Sequence, residues 1–173
     1  MSAIRIRLET PQDVPVIRSI NERVFHVSAE AAIVDKLRAG CPETVSLVAE
    51  REGRVIGYVL FSPVMIDGRD RCVQGMGLAP IAVLPEYQRQ GVGSQLIHRG
   101  LEMLRGCVWP FVIVLGHPDF YRRFGFEPAA RHGIASAWKG VPDEAFMILI
   151  LNQDAMRGVT GVARYRDEFD EAV

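Results

Sequence analysis

Lysine is almost missing from this chain. Of 20 basic residues only Lys36 and Lys139 are lysines, so any lysine-based chemistry has two candidates and the positive charge is carried by arginine. Cysteine is scarce and without pattern. Cys41, Cys72 and Cys107 are odd in number and far apart, with no C-x-x-C. That excludes a disulfide framework and a zinc ribbon, and fits a reducing compartment. His26, His98 and His132 lack metal-ligand spacing, so no metal is expected. Long apolar runs are missing too: the longest, Cys107 to Leu115, falls far short of the roughly 20 residues that cross a bilayer. Met1 to Pro15 is polar and charged, unlike a signal peptide. An excess of charge of either sign is also lacking, with 20 basic against 21 acidic residues and a net charge of −1. Such a chain has no global field to attract nucleic acid or an anionic membrane. These absences lead us to expect a cytoplasmic protein with neither partner.

What is present is core material. Hydrophobic residues make up 49% of the 173 and charged ones 24%, which suits one globular domain and excludes a disordered chain. We expect a single domain over residues 1–155 and a charged C-terminal tail over 156–173, packed on it or extending from it. Ala3 to Leu8 alternates at period two and reads as a strand. Thr10-Pro11 opens a helix carrying Val14, Ile17, Ile20 and Val24 on one face, and a second helix, Ala29 to Arg38, is expected to close at Gly40. Glu52-Gly53 and Asp67-Gly68 mark hairpins joining Val45 to Glu50, Arg54 to Phe61 and Val73 to Leu84. The pattern then becomes strand, loop, helix, strand. Ile81 to Leu84 and Phe111 to Leu115 are apolar runs on either side of a helix striped by Val92, Leu96, Ile97, Leu101 and Leu104, which is a βαβ unit with parallel strands. A short helix near Asp119 to Arg123 and strands at Phe126 to Ala129 and Phe146 to Leu151 complete the expected order.

The chemistry points to the loop Leu84-Pro85-Glu86-Tyr87-Gln88-Arg89-Gln90-Gly91-Val92-Gly93-Ser94. The first turn of a helix offers N–H groups without internal partners and a partial positive charge. Gly91 and Gly93 leave room for a phosphate to approach. There is no G-x-x-x-x-G-K-[ST], and the dinucleotide fingerprint G-x-G-x-x-G fails because Leu96 holds its third glycine position. Gln88, Gly91 and Gly93 fit Q-x-x-G-x-G, a pattern that chance supplies in about one chain in six of this length. A plain strand-to-helix turn is the competing reading. Ser94 lies outside any G-x-S-x-G elbow, so a hydrolase triad has no support.

A second motif, Tyr121-x-x-x-Gly125-Phe126, follows the second parallel strand. Together with Ile81-Ala82-Val83 and the Gln88 to Gly93 loop, it resembles the GNAT superfamily of acyl-CoA-dependent N-acyltransferases over essentially the whole chain. The resemblance implies an α+β fold: a mixed, largely antiparallel seven-stranded sheet flanked by helices, with a central splayed parallel strand pair. It implies acetyl-CoA as cosubstrate and a small-molecule or peptide amine as acceptor. Ile81, Ala82 and Val83 match the strand that meets the pantetheine arm. Gln88, Arg89, Gln90, Gly91, Val92, Gly93 and Ser94 match the loop that binds the pyrophosphate. Tyr121 matches the tyrosine that protonates the leaving thiolate, with core packing beside Phe120 and Phe124 as its alternative.

The chain departs from the family where many members carry an acid on the cofactor strand, since Gln74 to Pro80 contains none. His117, at the end of the second parallel strand, has the side chain suited to base work near neutrality; it is also placed to cap the following helix. Glu22 and Phe25, on the first helix, are candidate acceptor contacts, and either a solvated carboxylate or simple packing would explain them. Asn21 to Cys41 and Gly133 to Glu144, with Trp138, are the variable segments expected around the acceptor. Phe146 to Leu151 offers an edge for a homodimer. A non-catalytic acyl-CoA-binding or sensor module on the same fold is the alternative function.

Overall fold

Alternation at the N-terminus and the I′-type hairpin signal produce the first antiparallel strands. In the computed structural model, which describes residues 3–26 and 28–172, β1 (Arg5–Leu8) pairs antiparallel with β2 (Val45–Arg51), and β2 with the first part of β3 (Arg54–Gly68). Glu52 (φ 53°) and Gly53 (φ 75°) are both left-handed, the geometry of a tight hairpin turn. β4 (Cys72–Val83) follows. The chain forms two compact units. One comprises the stretch up to Ser62, Ala79–Met103 and the residues from Asp167 onward; the other comprises Pro63–Leu78 and Leu104–Arg166. Strands β3 and β4 contribute a segment to each.

Unit 1 carries α1 (Val14–Phe25), α2 (Ala29–Gly40) and α3 (Val92–Arg105). A 3₁₀ turn, Pro11–Asp13, precedes α1, and Asp13 accepts from the Thr10 N–H at 2.7 Å. Asp13 also takes both Arg7 terminal nitrogens at 2.7 and 2.9 Å, while Arg7 Nε donates to Glu50 at 2.9 Å. The Arg7 guanidinium holds the Asp13 carboxyl well below the usual carboxylate range. These charges tie β1 to the start of α1 and to β2. Helix α2 closes at Gly40, as expected, and is followed by an extended Cys41 (φ −132°), whose N–H bonds the Leu37 carbonyl. No glycine in a left-handed conformation is needed there.

Unit 2 holds β5 (Phe111–Leu115), α4 (Pro118–Tyr121), β6 (Glu127–Pro128), β7 (Ile134–Ser136), β8 (Phe146–Ile150), α5 (Gln153–Met156) and β9 (Gly161–Arg164). β5 and β8 pair antiparallel along their full length, and β6 adds to β8. β9 pairs antiparallel with the end of β3 and parallel with β7. The parallel pairing of β4 with β5 covers Met76↔Val112 and Gly77↔Ile113. The apolar pattern suggests Ile81 to Leu84 for this pairing; the ladder lies upstream, and Pro80, without an N–H, cannot donate a ladder bond. Phe111, Ile113, Phe146 and Ile148 from β5 and β8 pack with Ile134, Met156 and Ala163 as the unit's core. The fold is a mixed, mostly antiparallel sheet flanked by helices. It has nine strands among the described residues, because the short β7 and, in the charged tail, β9 add to the seven expected. Of the expected tail, β9 is part of unit 2, and Phe169 is buried. No helix among the described residues is long and apolar enough to cross a membrane.

Candidate active site

In unit 1 the site grows from the end of β4. Leu84 N–H donates to the Ile56 carbonyl at 3.0 Å. Backbone groups alternate along a strand, so Ala82 and Leu84 bond toward β3 while Ile81 and Val83 turn theirs the other way. The Val83 carbonyl accepts from Gln88 Nε2 at 3.0 Å. Through that bond Gln88, the first residue of the sequence motif, folds the loop back onto the strand. The chain then makes a 3₁₀ turn at Pro85–Tyr87, passes Arg89 at φ 57° and Gly91 at φ 82°, and enters α3 at Val92.

Side chains brace this loop and leave much of its backbone unused. Gln90 Nε2 donates to the Glu86 carbonyl at 2.9 Å, and Arg51 donates to Gln90 Oε1 at 2.9 Å. Arg23 and Arg54 pair with Glu86 at 3.4 and 3.7 Å. The guanidiniums of Arg51 and Arg54 lie 5.5 and 6.0 Å from the centre of the Tyr87 ring. Among the described residues, the N–H groups of Arg89, Gln90, Gly91, Val92 and Gly93 meet no carbonyl within hydrogen-bonding distance, whereas Gln95 N–H reaches the Gly91 carbonyl at 3.0 Å. Gly91 faces open space, with only the Gln95 amide 3.9 Å from where a Cβ would stand. Its glycine is required by the positive φ, not by crowding. Val92 is buried and anchors the helix, while Gly93 and Ser94 stay half-buried in its first turn. Five neighbouring N–H donors at the head of a 14-residue helix form a cradle suited to phosphate oxygens.

In unit 2, β5 ends at Leu115, and Gly116 N–H donates to the Ala145 carbonyl at 3.0 Å. His117 follows. Its carbonyl accepts from the N–H groups of Phe120 and Tyr121 at 3.1 and 3.2 Å, and its exposed side chain caps nothing. Tyr121 is 6% exposed. Its ring lies edge-on to Phe120 and Phe126 at 5.1 and 5.8 Å and rests on Gly116, where any Cβ would strike it. Burial pushes its phenol up to about 12, so the hydroxyl keeps its proton at neutral pH. No hydrogen-bond partner meets that hydroxyl among the described residues. Arg122 pairs with Asp119 at 3.6 Å, and Arg123 stacks over Phe120 at 4.9 Å.

Glu22 and Phe25 stay on α1 in unit 1. Glu22 is exposed and pairs with Arg18 at 3.2 Å; Phe25 is half-buried. Sequence reading misses Arg23, Arg51, Arg54 and Tyr87 as supports of the loop, because three of them lie on elements far from it in the chain. No group of three or more His, Cys, Asp or Glu among the described residues is placed to hold a metal.

Residues 5–129 match the sequence model of the acetyltransferase (GNAT) domain. The chain belongs to the GNAT acetyltransferase family. This GNAT N-acetyltransferase is 43% identical over 166 residues to the uncharacterized N-acetyltransferase YhbS of Escherichia coli K12, covering 95% of this chain and 98% of that one. The crystal structure of E. coli YhbS in complex with CoA superposes with a TM-score of 0.91 at 41% identity, over 98% of this chain and 93% of that chain. A GNAT-family acetyltransferase of Brucella melitensis, solved with acetyl-CoA, gives 0.78 at 35% identity, over 98% and 100%.

Proposed function

We propose that this GNAT N-acetyltransferase moves an acetyl group from acetyl-CoA to a primary amine by direct attack. The observation that carries the reading is the row of N–H groups from Arg89 to Gly93, free of carbonyl partners ahead of α3. Acetyl-CoA supplies the activated thioester and a pyrophosphate that such a row can hold. That the Brucella and E. coli relatives were solved with acetyl-CoA and CoA supports the same ligand here.

The residues divide the work. Gln88 holds the loop on Val83 while Arg89, Gln90, Gly91, Val92, Gly93 and Ser94 present their backbone to phosphate oxygens. The outward backbone groups of Ile81 and Val83, on either side of Ala82, are the proposed contact for the pantetheine arm, with an N–H available to a carbonyl oxygen as charge develops on it. An alkyl amine attacks only when neutral, and its ordinary pKa is near 10.4, so a base has to take its proton. His117, exposed just beyond the end of β5 with an uncommitted side chain, is the proposed base. Tyr121, protonated at neutral pH, is the proposed acid for the thiolate, acting through a hydrogen bond to the sulfur as charge develops there, since a phenol raised to about 12 does not pass its proton fully to a thiolate of ordinary pKa near 8.5. Glu22 is the proposed contact for a cationic acceptor, which exchanges with Arg18, and Phe25 the proposed apolar neighbour.

Calorimetric titration with acetyl-CoA, CoA and ATP tests the first half: micromolar binding of both CoA species and none of ATP is expected. Thiol release from acetyl-CoA across a panel of polyamines, aminoglycosides, amino acids and peptides tests the second. Absence of CoA binding sinks the reading. Binding with no amine-dependent thiol release favours the non-catalytic module, which the acid-free stretch Gln74 to Pro80 also supports.

A further inference from the structure

Unit 2 contains a second tyrosine whose contacts converge on the strand that carries Tyr121. Tyr165 directly follows β9, and its hydroxyl donates to the Ile113 carbonyl at 3.1 Å. Its ring covers Gly77: a Cβ there would lie 2.5 Å from the ring edge and 2.6 Å from Val64. The Trp138 indole stacks on the ring at 4.9 Å and 22°, and the Trp138 backbone N–H donates to Ser136 Oγ at 3.1 Å. Gly77 and Ile113 are paired residues of the parallel ladder between β4 and β5. The ring and hydroxyl of Tyr165 therefore meet both strands at one rung. Phenylalanine would fill the same space, but only a phenol also reaches the Ile113 carbonyl.

Three residues beyond Ile113, Gly116 forms the bed of the Tyr121 ring. β5 is five residues long and hydrogen-bonded along its length to β8. It connects the two tyrosines as a short rigid bar, held by Tyr165 near its middle and bearing Tyr121 at its end. Burial raises the Tyr165 phenol well above the ordinary range, and Tyr121 adds to the same direction, which is consistent with two neutral phenols sharing one apolar region.

We propose that Tyr165 is a positioning residue for Tyr121: by bonding Ile113 and covering Gly77 it fixes β5, and with it the surface on which the Tyr121 ring rests. The role rests on Tyr121 acting as the acid. Trp138, stacked on the Tyr165 ring, keeps it in place.

The test is fluorine NMR on the full chain with 3-fluorotyrosine at its four tyrosines, each signal assigned by a single Tyr→Phe change. Gly77→Ala leaves both phenols intact while pushing on the Tyr165 ring. It is expected to move the Tyr165 and Tyr121 signals by more than a linewidth and to leave those of Tyr58 and Tyr87, in unit 1, in place. A displaced Tyr165 signal beside an unmoved Tyr121 overturns the proposal. Should Gly77→Ala fail to fold, Tyr165→Phe is judged on the Tyr121 signal in the same way. Turnover of Tyr121→Phe separates the two ideas. A wild-type rate removes Tyr121 as the acid and leaves the NMR result standing, whereas an unmoved signal removes the positioning role and leaves the acid.

Discussion

In unit 1 the loop from Gln88 to Gly93 lies at the surface, its shape fixed by side chains that reach in from α1, β2 and β3 and by two left-handed residues. In unit 2 Tyr121 is 6% exposed and its position is fixed by rings and by a glycine beneath it. The first region offers backbone donors and depends on conformation. The second offers one hydroxyl and depends on packing. An exposed loop leaves its N–H groups within reach of water and solutes, whereas a phenol that loses water holds its proton more tightly.

Three experiments separate these dependences. The largest effect is expected from Gly91→Val. At φ 82° a β-branched residue is strained, so acetyl-CoA should bind more than about a hundredfold more weakly while the fold survives. Calorimetry reads this, and unchanged affinity would show that the loop does not bind the phosphates. Tyr121→Phe should lower kcat about a hundredfold, the scale of general acid catalysis, with the acetyl-CoA affinity kept within about twofold because no cradle group is touched. A matching fall in both would return Tyr121 to the packing reading.

The third and smallest effect concerns stability against pH. Asp13, in unit 1, is held low by Arg7. Its contribution is present above the ordinary carboxylate pKa of about 4 and disappears as pH falls through the lower folded value. Tyr121, in unit 2, is raised to about 12. Its contribution is complete below the ordinary phenol pKa of about 10 and disappears as pH rises toward 12. Denaturant unfolding at several pH values should therefore show an acid limb that Asp13→Asn flattens, at a cost of about 2 kcal/mol near neutrality, and an alkaline limb that Tyr121→Phe makes shallower, the raised Tyr58 and Tyr165 phenols carrying the rest. If Asp13→Asn changed the alkaline limb instead, the assignment of these groups would fail.

The helices, the hairpin strands and the β4–α3–β5 crossover are legible in the sequence because each follows a local period: 3.6 for the stripe from Val92 to Leu104, two for Ile4 to Leu8. The loop is legible because its glycines sit at a strand-to-helix junction. Tyr165 is not. It stands between Arg164 and Arg166 in a stretch that reads as solvated tail, and its partners Gly77 and Ile113 are many residues away in the chain. β9 is hidden for the same reason: four residues gain their place from β3 and β7, not from their own pattern. The end of α2 is legible, since a glycine near a helix end suggests a stop and Gly40 is the last helical residue, although it keeps ordinary helical geometry and the chain turns at Cys41.

Arg23, Arg51 and Arg54 converge on Glu86, Tyr87 and Gln90, and Arg89 stands in the loop itself. One carboxylate cannot balance that many guanidiniums, so a chain with net charge −1 carries a local cationic funnel around its donor row. A polyanion is drawn toward such a funnel before it touches anything. Added salt shortens the reach of that attraction to about 8 Å at physiological ionic strength. Capture should therefore slow as salt rises, while escape, governed by short backbone hydrogen bonds, keeps nearly the same rate.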